Sequence, residues 1–227
     1  MMKRVCVICE GQSEETVVRD VISPALQSSG INLLGQTIET SPQHKGGGLS
    51  YSRVKKAIKN TLNQKSAPVV TTFIDLYALS TDFPGYDAAQ KKSSYADKLK
   101  CLEDEFHKDI LKETECRPER FIPYIQPHEL EALLFSDIRA LVSINPNWST
   151  AEDELSQIRN KVSTPEEIND KPATKPAARL ERLLINPSYR KTLHASQAAS
   201  KAGLSNIEAA CPHFANWLTK LRSIPVD

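Results

Sequence analysis

Apolar positions along this chain fall into two kinds of run. Short blocks such as Val5 to Cys9 and Val69 to Ile74 are nearly continuous and rich in β-branched residues, the pattern of strands buried on both faces. Other stretches repeat apolar residues every three or four positions and read as amphipathic helices. These are residues 14–28, with Val17, Val18, Val21 and Ile22 on one face and Pro24 kinking or ending it; Ser50 to Asn63, with Val54, Ile58 and Leu62; and residues 93–112, with Tyr95, Leu99, Leu102, Phe106 and Ile110. Ile31 to Thr40 and Phe121 to Ile125 add two strands, and Pro123, which has no N–H to donate, places the latter at an edge or an irregular end. A helix opens near Pro127 and buries Leu130, Leu133 and Leu134. Strands alternating with helices predict an α/β fold around a parallel central sheet.

Beyond Asp137 no strand pattern survives. Short helical pieces, 139–144, 151–161, 176–185, 189–201 and 212–222, are separated by Asn-Pro, Thr-Pro and Lys-Pro steps. The expected organisation is therefore an α/β core over residues 1–137 and a helical C-terminal region over 138–227 packed on it.

Two of the buried strands end on a carboxylate, Glu10 and Asp75. If the strands are parallel, both acids reach the same edge of the sheet, where open α/β sheets bind ligands. Gly11 turns the chain after Glu10, Ser13 suits a helix start, and Glu14 falls on the first turn of that helix. A plain reading is available, in which Glu14 and Glu15 are there for the positive end of the helix dipole. The chemical reading adds Glu129 or Glu131 from the later helix. Carboxylates gathered in this way repel one another and lose hydration, and hard cations offset that cost; an all-oxygen set suits Mg²⁺ or Mn²⁺. Cys6 and Cys9 spell C-x-x-C, but a spacing of three in a strand sends them to opposite faces, so they read as core residues rather than a chelating pair.

Composition narrows the class. Hydrophobic content of 40%, charged content of 25% and a net charge of +1 are ordinary for a globular protein. No apolar run approaches a bilayer span, and the five cysteines form no paired framework, so the expected setting is cytoplasmic with no membrane partner. Charge is unevenly placed. From Lys171 onward nine Lys/Arg face three Asp/Glu, leaving 20 against 25 in the first 170 residues. An acidic body beside a basic segment suits cations at one site and polyanions next to it, although a solvated helical face gives the same count. His128, Lys45 in the loop before Gly46-Gly47-Gly48, and Arg179 are the candidate nucleic-acid contacts, and Lys175 is a candidate for neutralising phosphate charge.

Three motifs carry a resemblance that spans most of the chain: Glu10-Gly11-Gln12-Ser13-Glu14-Glu15, the Asp75 strand end followed by Phe83-Pro84-Gly85, and Phe121-x-Pro123-Tyr124-Ile125-Gln126-Pro127-His128-Glu129-Leu130-Glu131-Ala132-Leu133-Leu134-Phe135-Ser136-Asp137. Together with Asn169 to Leu180, they resemble a bacterial Toprim-like family related to the Toprim nucleases of ATPase-linked phage-defence systems. The resemblance implies a Rossmann-like Toprim core with a parallel central sheet, Mg²⁺ (or Mn²⁺) as cofactor, and a nuclease acting on DNA or RNA phosphodiesters as an anti-phage effector. It also implies an ATPase partner protein and is compatible with a homo-oligomer. Carried over by position, Glu10 is catalytic and a metal ligand, Glu14 a metal ligand, and Asp75 the first acid of an Asp-x-Asp strand end. The departure is Tyr77, which stands where the second Asp belongs; Asp82, Glu129 or Glu131 is then required as the missing ligand. A module that binds nucleic acid or a nucleotide through a degenerate Toprim site is the alternative.

Overall fold

Among the described residues five strands form one sheet, and all run parallel. The computed structural model describes residues 2–38, 49–169 and 172–225. Its sheet has β1 (Lys3–Cys9) at the centre, flanked by β2 (Ile31–Thr37) and β3 (Val69–Asp75). Two short strands, β4 (Phe121–Ile122) and β5 (Ile125–Gln126), both pair with β3. The expected single strand over 121–125 is thus broken at Pro123 and Tyr124. Thr72 spans the break: its hydroxyl donates to the Tyr124 carbonyl at 2.8 Å and accepts the Tyr124 N–H at 2.9 Å. A side chain does there what a ladder bond cannot, because Pro123 has no N–H.

Alternation along the strands sorts the core into two clusters. Val5, Val7, Cys9, Val69 and Phe73 face one way, and Cys6, Ile8, Val70 and Ile74 the other. The two cysteines do lie on opposite faces, and both are free thiols. On the first face pack α1 (Gln12–Val17) and α2 (Ser23–Leu26). On the second lie α3 (Tyr51–Leu62), α4 (Tyr86–Gln90) and α5 (Tyr95–Thr114). The segment expected as one helix over 14–28 is helical from Gln12 to Ser29 but widens into a π turn at Val18–Ile22. Pro24, without an N–H to return to the preceding turn, follows directly, and the widened turn accommodates it.

The C-terminal region joins the first cluster and shares its core with the sheet. After α6 (Glu131–Leu134), the last helix of the core segment, it contains α7 (Ile138–Val142), α8 (Glu152–Arg159), α9 (Pro176–Leu183), α10 (Lys191–Ala202), α11 (Leu204–Ala210) and α12 (Pro212–Arg222). Trp217 of α12 stacks on Tyr124 with centroids 4.4 Å apart and donates its indole N–H to the Thr71 hydroxyl of β3 at 2.8 Å. The helix expected from Pro127 starts only at Glu131. His128 sits at φ +57, outside the helical region, with its N–H donated to the Tyr95 hydroxyl and its carbonyl accepting the Tyr77 N–H. α11 has no counterpart in the apolar pattern because Ile207 is its one buried residue. The strand expected to reach Thr40 ends at Thr37, and residues 39–40 lie outside the described residues. Among the described residues no helix is long and apolar enough to cross a membrane.

Candidate functional site

Parallel pairing brings the ends of β1 and β3 to one edge, and their acids meet there. The Asp75 N–H donates to Glu10 Oε2 at 3.2 Å. Asp75 is 4% exposed; its Oδ1 accepts the Leu130 N–H at 2.9 Å, which ties the start of α6 to the strand end. Glu14 reaches the same place from the first turn of α1. Its Oε2 accepts the Gly11 N–H at 3.1 Å, closing the helix start, while Oε1 turns to the cluster. One side chain therefore does two things: it closes the helix start and it joins the acids. From α6, Glu131 adds a carboxyl group that is 0% exposed. Among the described residues, neither Glu131 oxygen receives a well-formed hydrogen bond; its own amide and the Tyr189 hydroxyl are near neighbours.

The centre of the four is Lys191, the first residue of α10. Its Nζ lies 2.8 Å from Glu14 Oε1, 2.9 Å from Asp75 Oδ2 and 3.4 Å from Glu131 Oε2. A cation at a helix N-terminus is disfavoured by the dipole, so the carboxylates hold it there against that field. Burial alone would lower the Lys191 pKa; attraction from Asp75, Glu131 and Glu14 outweighs it and holds the ammonium well above the usual lysine range. The acids pay for their crowding. Burial, with repulsion from Glu14, pushes Glu10 up to about 7, and burial raises Asp75 and Glu131 although Lys191 opposes it.

Other candidate residues lie around this centre or away from it. Glu129 stands beside the four carboxyl groups and adds to the repulsion on Glu10 and Glu131, but its own contacts lie elsewhere. Its Oε1 pairs with Lys175 at 2.5 Å and its Oε2 accepts the Ala177 N–H at 3.0 Å, latching the start of α9. Asp82 is exposed and accepts from the Ser80 hydroxyl, with its charge felt at Tyr51 rather than in the cluster. Glu131 stands where Glu129 or Asp82 was the alternative, because α6 begins late and turns residue 131 inward. Lys175 spans two neighbours, Glu129 and the ring of Tyr77, 5.5 Å from its centroid. Arg179 donates to the Thr174 carbonyl. His128 is buried and stacks on Tyr95, centroids 4.6 Å apart; burial and Lys98 lower its pKa to about 4. Lys45 lies outside the described residues. Lys191 was not among the candidates. Three buried carboxyl groups beside the half-buried Glu10 call for an internal cation, and the basic C-terminal segment was the place to look, but nothing marked out one lysine within it.

Residues 9–222 match the family described as domain of unknown function DUF4276. The chain belongs to that family. No curated protein and no solved structure matches it. The matched span of the DUF4276 chain takes in every residue of the acid cluster, from Glu10 to Lys191.

The donors suit a hard divalent ion in kind, being all carboxylate oxygen, and in charge, with four carboxyl groups set around the Lys191 ammonium among the described residues. Their placement is that of an ammonium site, at 2.8 to 3.4 Å rather than the 2.0–2.1 Å of Mg²⁺–oxygen bonds. As they stand, no three His, Cys, Asp or Glu side chains among the described residues are grouped closely enough to hold a metal ion. Occupation by a metal therefore requires Lys191 to withdraw from the centre. Two cavities open away from Lys191: one of about 820 Å³ beside Lys3 and Lys220, and one of about 430 Å³ beside Tyr77 and His128.

Proposed function

We propose that this chain is a Mg²⁺- or Mn²⁺-dependent nuclease of Toprim type that hydrolyses DNA or RNA phosphodiesters, an effector of phage defence beside an ATPase partner. One observation carries the chemistry: Glu10, Glu14, Asp75 and Glu131 converge at the carboxyl edge of a parallel sheet, with the Lys191 ammonium among them. The defence role and the ATPase partner rest on the resemblance of the motifs. Glu14, Asp75 and Glu131 would hold the ion, with Glu10 at its side. A bound divalent ion polarises a phosphodiester and makes water a better nucleophile. Glu10, whose carboxyl is poised near neutrality in the metal-free chain, is placed to hold or pass the proton of that water. Lys175, about a third exposed beside Glu129, is placed to balance charge on the phosphate oxygens.

The test is cleavage of single- and double-stranded DNA and RNA by the full chain with Mn²⁺, against Glu10→Ala. Metal-dependent cleavage lost in the variant supports the proposal, and cleavage retained in it removes Glu10 from the mechanism. A second reading is favoured by Lys191, which already supplies a cation to the acids. On that reading the site binds nucleic acid without cutting it, and Mn²⁺ fails to bind the chain in calorimetry.

A further inference from the structure

We propose that the cavity beside Tyr77 is a nucleobase pocket, and that it takes an amino-bearing base of the adenine class. At about 430 Å³ it falls within the range of small-molecule sites. Tyr77, Tyr86, Tyr95 and His128 supply its aromatic lining. Tyr77 keeps 41% of its surface exposed, which leaves ring surface to receive a second ring.

Stacking accepts any base, so discrimination must come from a polar edge. Asn169 provides it. Its Nδ2 lies 3.1 Å from His128 Nδ1, and its Oδ1 is buried with no hydrogen-bond partner among the described residues. His128 stays neutral at physiological pH, because burial and Lys98 hold its pKa near 4, so its Nδ1 can accept the amide N–H. That contact fixes the amide and leaves its oxygen, buried at the pocket wall, as the acceptor without a partner among the described residues. An orphaned acceptor at an aromatic pocket calls for an N–H donor, and an exocyclic amine on a stacked ring is one.

The pocket also adjoins the acids. Tyr77 lies two residues after Asp75, its N–H is bound to the His128 carbonyl, and Lys175 sits between its ring and Glu129. A nucleotide whose base fills the pocket has Lys175 at hand for its phosphate. Only this last link rests on the nuclease reading; base binding requires neither metal nor cleavage.

The experiment is calorimetry of the full chain in EDTA with three probes: adenosine 5′-monophosphate, purine riboside 5′-monophosphate, which lacks the amine, and ribose 5-phosphate. The adenine nucleotide is expected to bind about tenfold more tightly than the purine riboside compound, and ribose 5-phosphate not measurably. Tyr77→Ala should weaken both purine nucleotides about tenfold, and Asn169→Ala should erase the difference between them, with far-ultraviolet dichroism confirming that each variant is folded. Equal binding of adenosine monophosphate and ribose 5-phosphate overturns the proposal, as does indifference to Tyr77→Ala in a folded variant. Adenine binding without nuclease activity sinks the catalytic reading alone, and cleavage without adenine binding sinks the pocket alone.

Discussion

Lys191 Nζ lies 2.9 Å from Asp75 Oδ2, joining the first residue of α10 to the last residue of β3. The same ammonium contacts Glu14 and Glu131, so one side chain compensates acids from three elements. Removing one partner of a buried ion pair is costly because the charge left behind has no solvent. Lys191→Met should therefore destabilise the metal-free chain by about 3–5 kcal/mol in urea titrations at pH 7. In the same variant Mn²⁺ should bind more tightly and recover much of that stability, since the ion replaces the missing charge. A variant as stable as the parent would show that the acids are protonated and need no counter-ion.

His128 gives a pH dependence with a definite sign. Its folded pKa of about 4 lies below the ordinary 6.5, so between those values the unfolded chain binds the proton and the folded chain does not. The stability this group contributes is present above pH 6.5 and is lost as pH falls toward 4. The full swing is about 3 kcal/mol at 1.36 kcal/mol per unit. Asparagine tolerates the positive φ at this position, so His128→Asn removes the titration while sparing the backbone. The parent should lose stability relative to this variant on going from pH 6.5 to 4.5; parallel curves would refute a buried neutral imidazole.

The centre of the sheet was legible because β1 and β3 are buried on both faces, which leaves nearly continuous apolar runs that end on Glu10 and Asp75. Those two acids could be placed on one edge from strand direction alone, and their contact at the Asp75 N–H follows from that register. Later contributors were hidden for local reasons. Glu129 and Glu131 stand two apart in a segment whose helix was expected to open near Pro127. Once His128 takes a positive φ the helix opens at Glu131, which turns inward while Glu129 pairs with Lys175. Lys191 belongs to a contact across more than a hundred residues, and in the sequence it is one of nine basic residues in the C-terminal segment.

Gly85 tests the joint between α4 and α5. Its φ of +77 is a left-handed conformation, and a Cβ there would meet Glu105 Cβ at 2.9 Å and the Cys101 carbonyl oxygen at 3.2 Å. Both backbone strain and crowding oppose any side chain, and the flexible end of Glu105 relieves only part of it. Gly85→Ala should cost about 2 kcal/mol or more, read as a fall in the urea midpoint with an unchanged slope. A neutral substitution would mean that α4 shifts freely against α5.

Lys175 and Glu129 separate latching from chemistry. Lys175→Met leaves Glu129 buried with the Ala177 N–H as its remaining donor, and because the ammonium is about a third exposed the loss should be modest, about 1 kcal/mol. Adding Glu129→Gln removes the stranded charge while keeping an acceptor for Ala177, so the double variant should regain most of that stability. Nuclease activity is expected to behave differently. If Lys175 balances phosphate charge, its loss should lower kcat about a hundredfold or more, and the second substitution should not restore it. Activity that returns together with stability would assign Lys175 to holding α9 in place and nothing more.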